Sequence, residues 1–203
     1  MMEYKIEKWD AMDLLVHAKD FNAETSEAEI PKFWDEYYAN DAYKKIPGYL
    51  AVCAQKKTDK NEFRYGIGCK ASDVEGVPEG FEILHIPKYT WAVFTCVGPM
   101  PNAIQDMWER INKEWLPTVE YEMIPDYDIE NYLPGDPASP EYISEICIPV
   151  KKNNRSNFKT AQMSMLSKPQ ITRITLIFHR WPCRRGRQLP SAVLMANGQW
   201  LID

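Results

Sequence analysis

Ile30-Pro31-Lys32-Phe33-Trp34-Asp35 and Ile104-Gln105-Asp106-Met107-Trp108-Glu109 carry one pattern, Ile-x-x-Φ-Trp-acid, where Φ is a large apolar residue. Each copy sits in a stretch of helical periodicity, and each follows a β-rich run. Two tandem copies predict one domain built from two similar halves. Such a domain has an internal seam, and a seam is a natural place for a pocket.

Working outward from the first copy, Ser26 and Glu29 have the spacing of a capping box, so a helix is expected from Ser26 to about Tyr38. Ile30, Phe33, Trp34 and Tyr37 would form its buried stripe. Pro31 is tolerated there because it falls in the first turns. Tyr4–Trp9 and Met12–Phe21 read as preceding strands. Pro47-Gly48 signals a turn before strands Tyr49–Gln55 and Phe63–Ala71. Around the second copy, Phe81–Ile86 and Tyr89–Val97 read as strands. Ala103–Leu116 reads as a helix with Ile104, Trp108, Ile111 and Trp115 on one face. Glu120–Ile124 reads as a short strand, Asp126–Pro140 as a polar loop, and Tyr142–Val150 as the last strand. The order in each half, Met12–Ala71 and Tyr89–Val150, is strand, helix, strand, strand. The predicted class is α+β, a duplicated βαββ unit with a cleft between the halves.

The composition is that of an ordinary globular protein, with 45% hydrophobic and 26% charged residues. Seven Trp and eleven Tyr supply flat apolar surface for a core or a binding cleft. No apolar run reaches the roughly 20 residues that span a bilayer, so no membrane role is expected. Met1–Lys5 lacks the basic and apolar regions of a secretion signal, and a cytoplasmic location is expected. Cys53, Cys69, Cys96, Cys147 and Cys183 form no C-x-x-C pair and read as free thiols. His17, His85 and His179 have no metal-ligand spacing, so neither a metal nor a cofactor is expected.

Charge divides the chain. Residues 1–152 carry a net −12 and residues 153–203 a net +7. The first part is an acidic body that repels nucleic acid. The second is a basic C-terminal extension with no sustained period. Two readings stand for it: a basic arm for an anionic partner, or a poorly ordered or non-native extension, which is the reading adopted.

Gly66-Ile67-Gly68-Cys69-Lys70-Ala71 fits the dinucleotide fingerprint in letters only, because its glycines lie inside a strand and no helix follows. Phosphate-binding, zinc-protease and α/β-hydrolase motifs are missing from the sequence. Glu145 stands out instead. Alternation along Tyr142–Val150 puts Ile143, Glu145 and Cys147 on one face. If that face is enclosed, an aromatic-walled cavity with one acid suits an organic cation. If it meets solvent, Glu145 is an ordinary exposed acid.

From Tyr4 to Lys152 the chain resembles the GyrI-like effector-binding domain of gyrase-inhibitory proteins and of AraC-type and MerR-type multidrug regulators. The matching stretches are Ile46-Pro47-Gly48, Phe63–Gly68, Val77–Glu82, Tyr89–Thr95, Gly98-Pro99, Trp108, Glu114–Pro117 and Glu145–Val150. The resemblance implies tandem βαββ repeats around a hydrophobic cleft, with Glu145 as its acid and Tyr65 and Trp91 as walls. Many family members have Trp where this chain has Cys147, which implies a cleft of different shape. The candidate ligand-binding set is Glu145, Tyr65, Trp91, Cys147 and the repeat's own Trp34 and Trp108. No helix-turn-helix precedes Tyr4, so specific nucleic-acid binding is not expected.

The favoured function is a stand-alone binding module for a hydrophobic or cationic small molecule. A second reading is a hydrolase of electrophilic cyclopropane-type toxins, which the resemblance also brings in, with Glu145 and Tyr65 as its acid–base pair. A third is a protein-interaction module for gyrase or a regulator, with homodimerisation as a further possibility.

Overall fold

The computed structural model describes residues 2–56 and 61–153, together with strands at 194–196 and 199–201. Strands β1 (Tyr4–Trp9) and β2 (Met12–Asn22) precede helix α1 (Ser26–Ala39) and a short α2 (Ala42–Lys45). Then come β3 (Leu50–Gln55), β4 (Glu62–Lys70), β5 (Glu82–Ile86) and β6 (Tyr89–Val97). Helix α3 (Asn102–Arg110) leads into β7 (Tyr121–Met123), β8 (Tyr127–Tyr132) and β9 (Ile143–Lys152). The antiparallel sheet runs β1-β6-β9-β8-β3-β4-β2-β5, with β7 on β9. The repeats are therefore β2-α1-β3-β4 and β6-α3-β8-β9, joined where β3 pairs with β8.

The connections force this sheet to curl. β1 and β2 stand six strand spacings apart in the sheet order, and so do β5 and β6. Laid flat, six spacings are about 29 Å. Each pair is nevertheless linked by only two residues, Asp10-Ala11 and Pro87-Lys88, a reach of about 11 Å. The sheet ends must approach one another, and the inner face packs accordingly. Leu14 and Ile86 from one end join Trp91 and Val93 from the other in a single buried cluster with Leu50, Val52, Ile129 and Cys147.

Both helices lie on the outer face. α1 buries Ile30, Phe33, Trp34 and Tyr37, the stripe expected from sequence, against Ala51, Cys53, Phe63, Tyr65 and Ile67. α3 buries Ile104, Met107 and Trp108 against Ala92, Phe94, Ile146 and Ile148. The expected capping box does not form. The helix begins one residue earlier, so Ser26 is its first helical residue and donates to the Ala23 carbonyl at 3.3 Å. α3 ends sooner than its periodicity suggests. From Ile111 to Trp115 it widens into a π turn, in which the Leu116 N–H reaches the Ile111 carbonyl at 2.9 Å.

The largest departure is β8. Its stretch lies inside Asp126–Pro140, expected as a polar loop, yet Tyr127–Tyr132 is an interior strand hydrogen-bonded between β3 and β9. The second strand of the second repeat is thus β8, and Tyr121–Met123 is an addition that pairs with the C-terminal end of β9.

The glycines of the rejected fingerprint have a packing role. A Cβ on Gly68 would lie 2.0 Å from the Leu15 carbonyl oxygen, and one on Gly66 would lie 2.9 Å from Val16 Cβ. They let β4 pass close to β2. Cys53, Cys69, Cys96 and Cys147 are buried free thiols. No described helix is long and apolar enough to cross a membrane. The readings of the basic extension lie largely outside the described residues. Within it, β10 (Leu194–Ala196) and β11 (Gln199–Leu201) pair with each other.

Candidate functional site: the seam between the repeats

The seam has a four-residue floor on the outer face. Register sets Ala51 of β3 opposite Glu130 of β8, and Cys53 opposite Asp128. The first repeat thus supplies small side chains where the second supplies acids. β9 closes the other side of Glu130 with Ile146. Above this floor stand the two tryptophans of the repeated motif, Trp34 from α1 and Trp108 from α3.

A hydrogen-bonded relay joins the two tryptophans across the seam. The Trp34 indole N–H donates to the Tyr65 hydroxyl at 3.0 Å. The Tyr65 and Tyr132 hydroxyls are bonded to each other. Tyr132 donates its proton to Glu130 Oε2 at 2.7 Å, so the proton between the tyrosines is that of Tyr65. The Trp108 indole N–H donates to Glu130 Oε1 at 3.1 Å. Each oxygen of Glu130 therefore accepts one bond, one from its own strand and one from α3. The rings pack as well. Trp34 meets Tyr132 edge-on at 5.6 Å and stacks on Tyr38 at 6.1 Å. Tyr38 and Tyr132 are only partly buried and form the outer rim.

The acids pay for this position with raised pKa values. Burial pushes Glu130 above the usual carboxylate range, and the bonds from Tyr132 and Trp108 offset part of that. Asp128 is pushed well above its ordinary value by burial and by the charge of Glu130. Glu130 is 3% exposed and Asp128 9%. Among the described residues, no Lys, Arg or His pairs with either acid. Tyr65 and Tyr132 are pushed well above the ordinary phenol value by the same desolvation.

The six sequence-derived site residues separate into two groups. Tyr65, Trp34 and Trp108 meet at the seam. Trp91, Cys147 and Glu145 belong to the other face of the sheet. Trp91 and Cys147 are in the inner cluster, Trp91 stacked on Trp9 at 4.9 Å. Glu145 is half-buried, pairs with Thr95 and Asn131 in register, and accepts a bond from Asn131 Nδ2 at 3.3 Å. The structure therefore does not bring Glu145 to the aromatic seam or to Tyr65, because consecutive strand residues point to opposite faces. The acids that do face the seam, Glu130 and Asp128, were missed. Their signal was present in Tyr127-Asp128-Ile129-Glu130-Asn131-Tyr132, which alternates, but with acids where an inward face normally carries apolar residues. No described cluster of His, Cys, Asp and Glu is arranged to hold a metal.

The model of the Cass2 family, integron-associated effector binding protein, matches residues 5–150. The chain belongs to this family. Among solved structures, SAV2435 bound to tetraphenylphosphonium is 22% identical with a TM-score of 0.64, covering 74% of this chain and 94% of that one. A putative transcription regulation protein from Staphylococcus aureus MU50 is 24% identical with a TM-score of 0.60, covering 74% and 99%. An integron cassette protein from Vibrio cholerae is 17% identical with a TM-score of 0.56, covering 73% and 95%. These likenesses establish the GyrI-like α+β fold. No curated protein matches the chain at a significant level. The family match ends two residues before the end of β9.

Proposed function

We propose that this effector-binding protein takes up a lipophilic organic cation in the seam between its repeats. Glu130 is the counter-ion, and Trp34, Trp108, Tyr65 and Tyr132 are the aromatic walls. The observation that carries this reading is a buried carboxylate with no cationic partner among the described residues, held by one indole and one phenol and linked through that phenol to a second of each. A desolvated carboxylate is expensive unless a charge meets it, and aromatic faces attract a cation that has shed its water. The tetraphenylphosphonium held by SAV2435 is a ligand of this class.

The hydrolase reading paired Glu145 with Tyr65, and these two lie on opposite faces of the sheet. No contact at the seam favours the protein-interaction reading over the small cation.

The test is titration of tetraphenylphosphonium, followed by quenching of tryptophan fluorescence, against three forms of the protein. Glu130→Gln keeps the size of the side chain and removes its charge. Its affinity should fall by about 10- to 150-fold, matching the roughly 1.5–3 kcal/mol of a hydrogen bond or contact to a charged group. Glu145→Gln should bind within about twofold of the parent, since that carboxylate faces away from the seam. The reverse pattern would move the site to the inner face of the sheet.

A further inference from the structure

Asp128 is not explained by a site with one acid. It points to the same face as Glu130, two residues away along β8, across from Cys53. Glu130 has a donor on each oxygen. Asp128, 9% exposed, has no hydrogen bond or ion pair among the described residues. Its cross-strand neighbour on β3, Cys53, carries no positive charge. An unpaired buried carboxylate destabilises a fold and is readily replaced by an apolar residue. Here one stands on the same strand face as Glu130, opposite the small side chain of Cys53.

We infer that the seam is shaped for a ligand with two cationic centres, one facing Glu130 and the other Asp128; this rests on the organic-cation reading of the same seam. The strand sets the spacing, since two residues along β8 are about 7 Å apart. The flanking indoles and phenols favour a flat aromatic ligand, and the two ring nitrogens of methyl viologen have the separation that the strand sets. A monocation of the same shape would compensate Glu130 and leave Asp128 without a partner.

The matched probes are methyl viologen and N-methyl-4-phenylpyridinium, similar in outline and different by one charge. They would be titrated calorimetrically into the full chain at pH 7.5, with tetraphenylphosphonium as a third ligand. The dication loses more hydration on entry, so a site with one acid should prefer the monocation. A site with two acids should reverse that order and bind methyl viologen about tenfold or more tightly than the monocation. In Asp128→Asn the ratio of the two affinities should collapse to about one or below. In Glu130→Gln both cations should weaken. A ratio near one in the parent protein, or a high ratio that survives Asp128→Asn, overturns the inference. If neither pyridinium binds while tetraphenylphosphonium does, the two-charge ligand is wrong and the cation seam stands. If tetraphenylphosphonium fails as well, both fall together.

Discussion

Asp128 is buried without a partner among the described residues, and the consequence is a pH dependence of known sign. Its folded pKa lies well above the ordinary value, raised first by desolvation and then by the charge of Glu130. Between the unfolded value, about 4, and the folded one, the native state holds a proton that the unfolded chain has lost. More protons bound in the native state make stability fall as pH rises through that window. Asp128→Asn removes this titration. The variant should be more stable than the parent at pH 8, by on the order of 1–2 kcal/mol. That advantage should shrink as pH falls and be gone by about pH 3, where Asp128 is protonated in both states. Thermal melts followed by circular dichroism across this range would show it. An advantage independent of pH would mean that the carboxylate is solvated in the native state. Glu130 also sits above its ordinary value, but both proteins retain it and its own titration largely cancels in the difference.

At the scale of the elements, legibility followed the hydrophobic pattern. The helix stripes at Ile30, Phe33, Trp34, Tyr37 and at Ile104, Trp108, Ile111, Trp115 were readable because burial there is apolar, and all eight residues are buried. β8 was not readable for the opposite reason. Its outer face carries Asp128 and Glu130, so only Ile129 marks it as interior, and binary patterning assigns such a stretch to solvent. The strand that builds the seam broke the rule because it supplies charge where a core would take none. Glu145 shows a related limit. Its alternation was correct, but alternation alone does not say which face the helices cover. The close pass of β4 over β2 gives a test at this scale. Gly68→Ala would put a methyl 2.0 Å from the Leu15 carbonyl and 2.9 Å from Val16 Cα, both backbone atoms. The strands would have to separate, so a loss of about 3 kcal/mol or more is expected. Gly76→Ala has no neighbour within 4 Å, but Gly76 has φ of 75°. It should lose only about 1 kcal/mol, the strain of a side chain in the left-handed region. Urea denaturation of the two variants would separate steric from conformational cost, and equal losses would contradict the close approach.

For the whole molecule, the question is where the cooperative unit stops. The curled sheet closes its register at Lys152, which pairs with Tyr121, and the Asn153 N–H makes one further bond to the Glu120 carbonyl at 2.8 Å. Among the described residues, the buried clusters are filled from before that point. The strands further along, β10 and β11, pair with each other and not with the main sheet. The charge balance changes at the same place, from a net −12 to a net +7. We therefore expect residues 1–153 to fold alone. Every described strand of the main sheet and every described residue of the seam lies within them. A chain ending after Asn153 should melt within a few degrees of the full chain at moderate salt and should bind tetraphenylphosphonium with the same affinity. At low salt a difference can appear, because a basic segment near an acidic body is attracted over roughly 10 Å at 0.1 M ionic strength and further below it. Such a difference should vanish as salt is added. A truncated chain that is insoluble, or that loses its sharp transition at any salt, would show that the C-terminal segment contributes to the core.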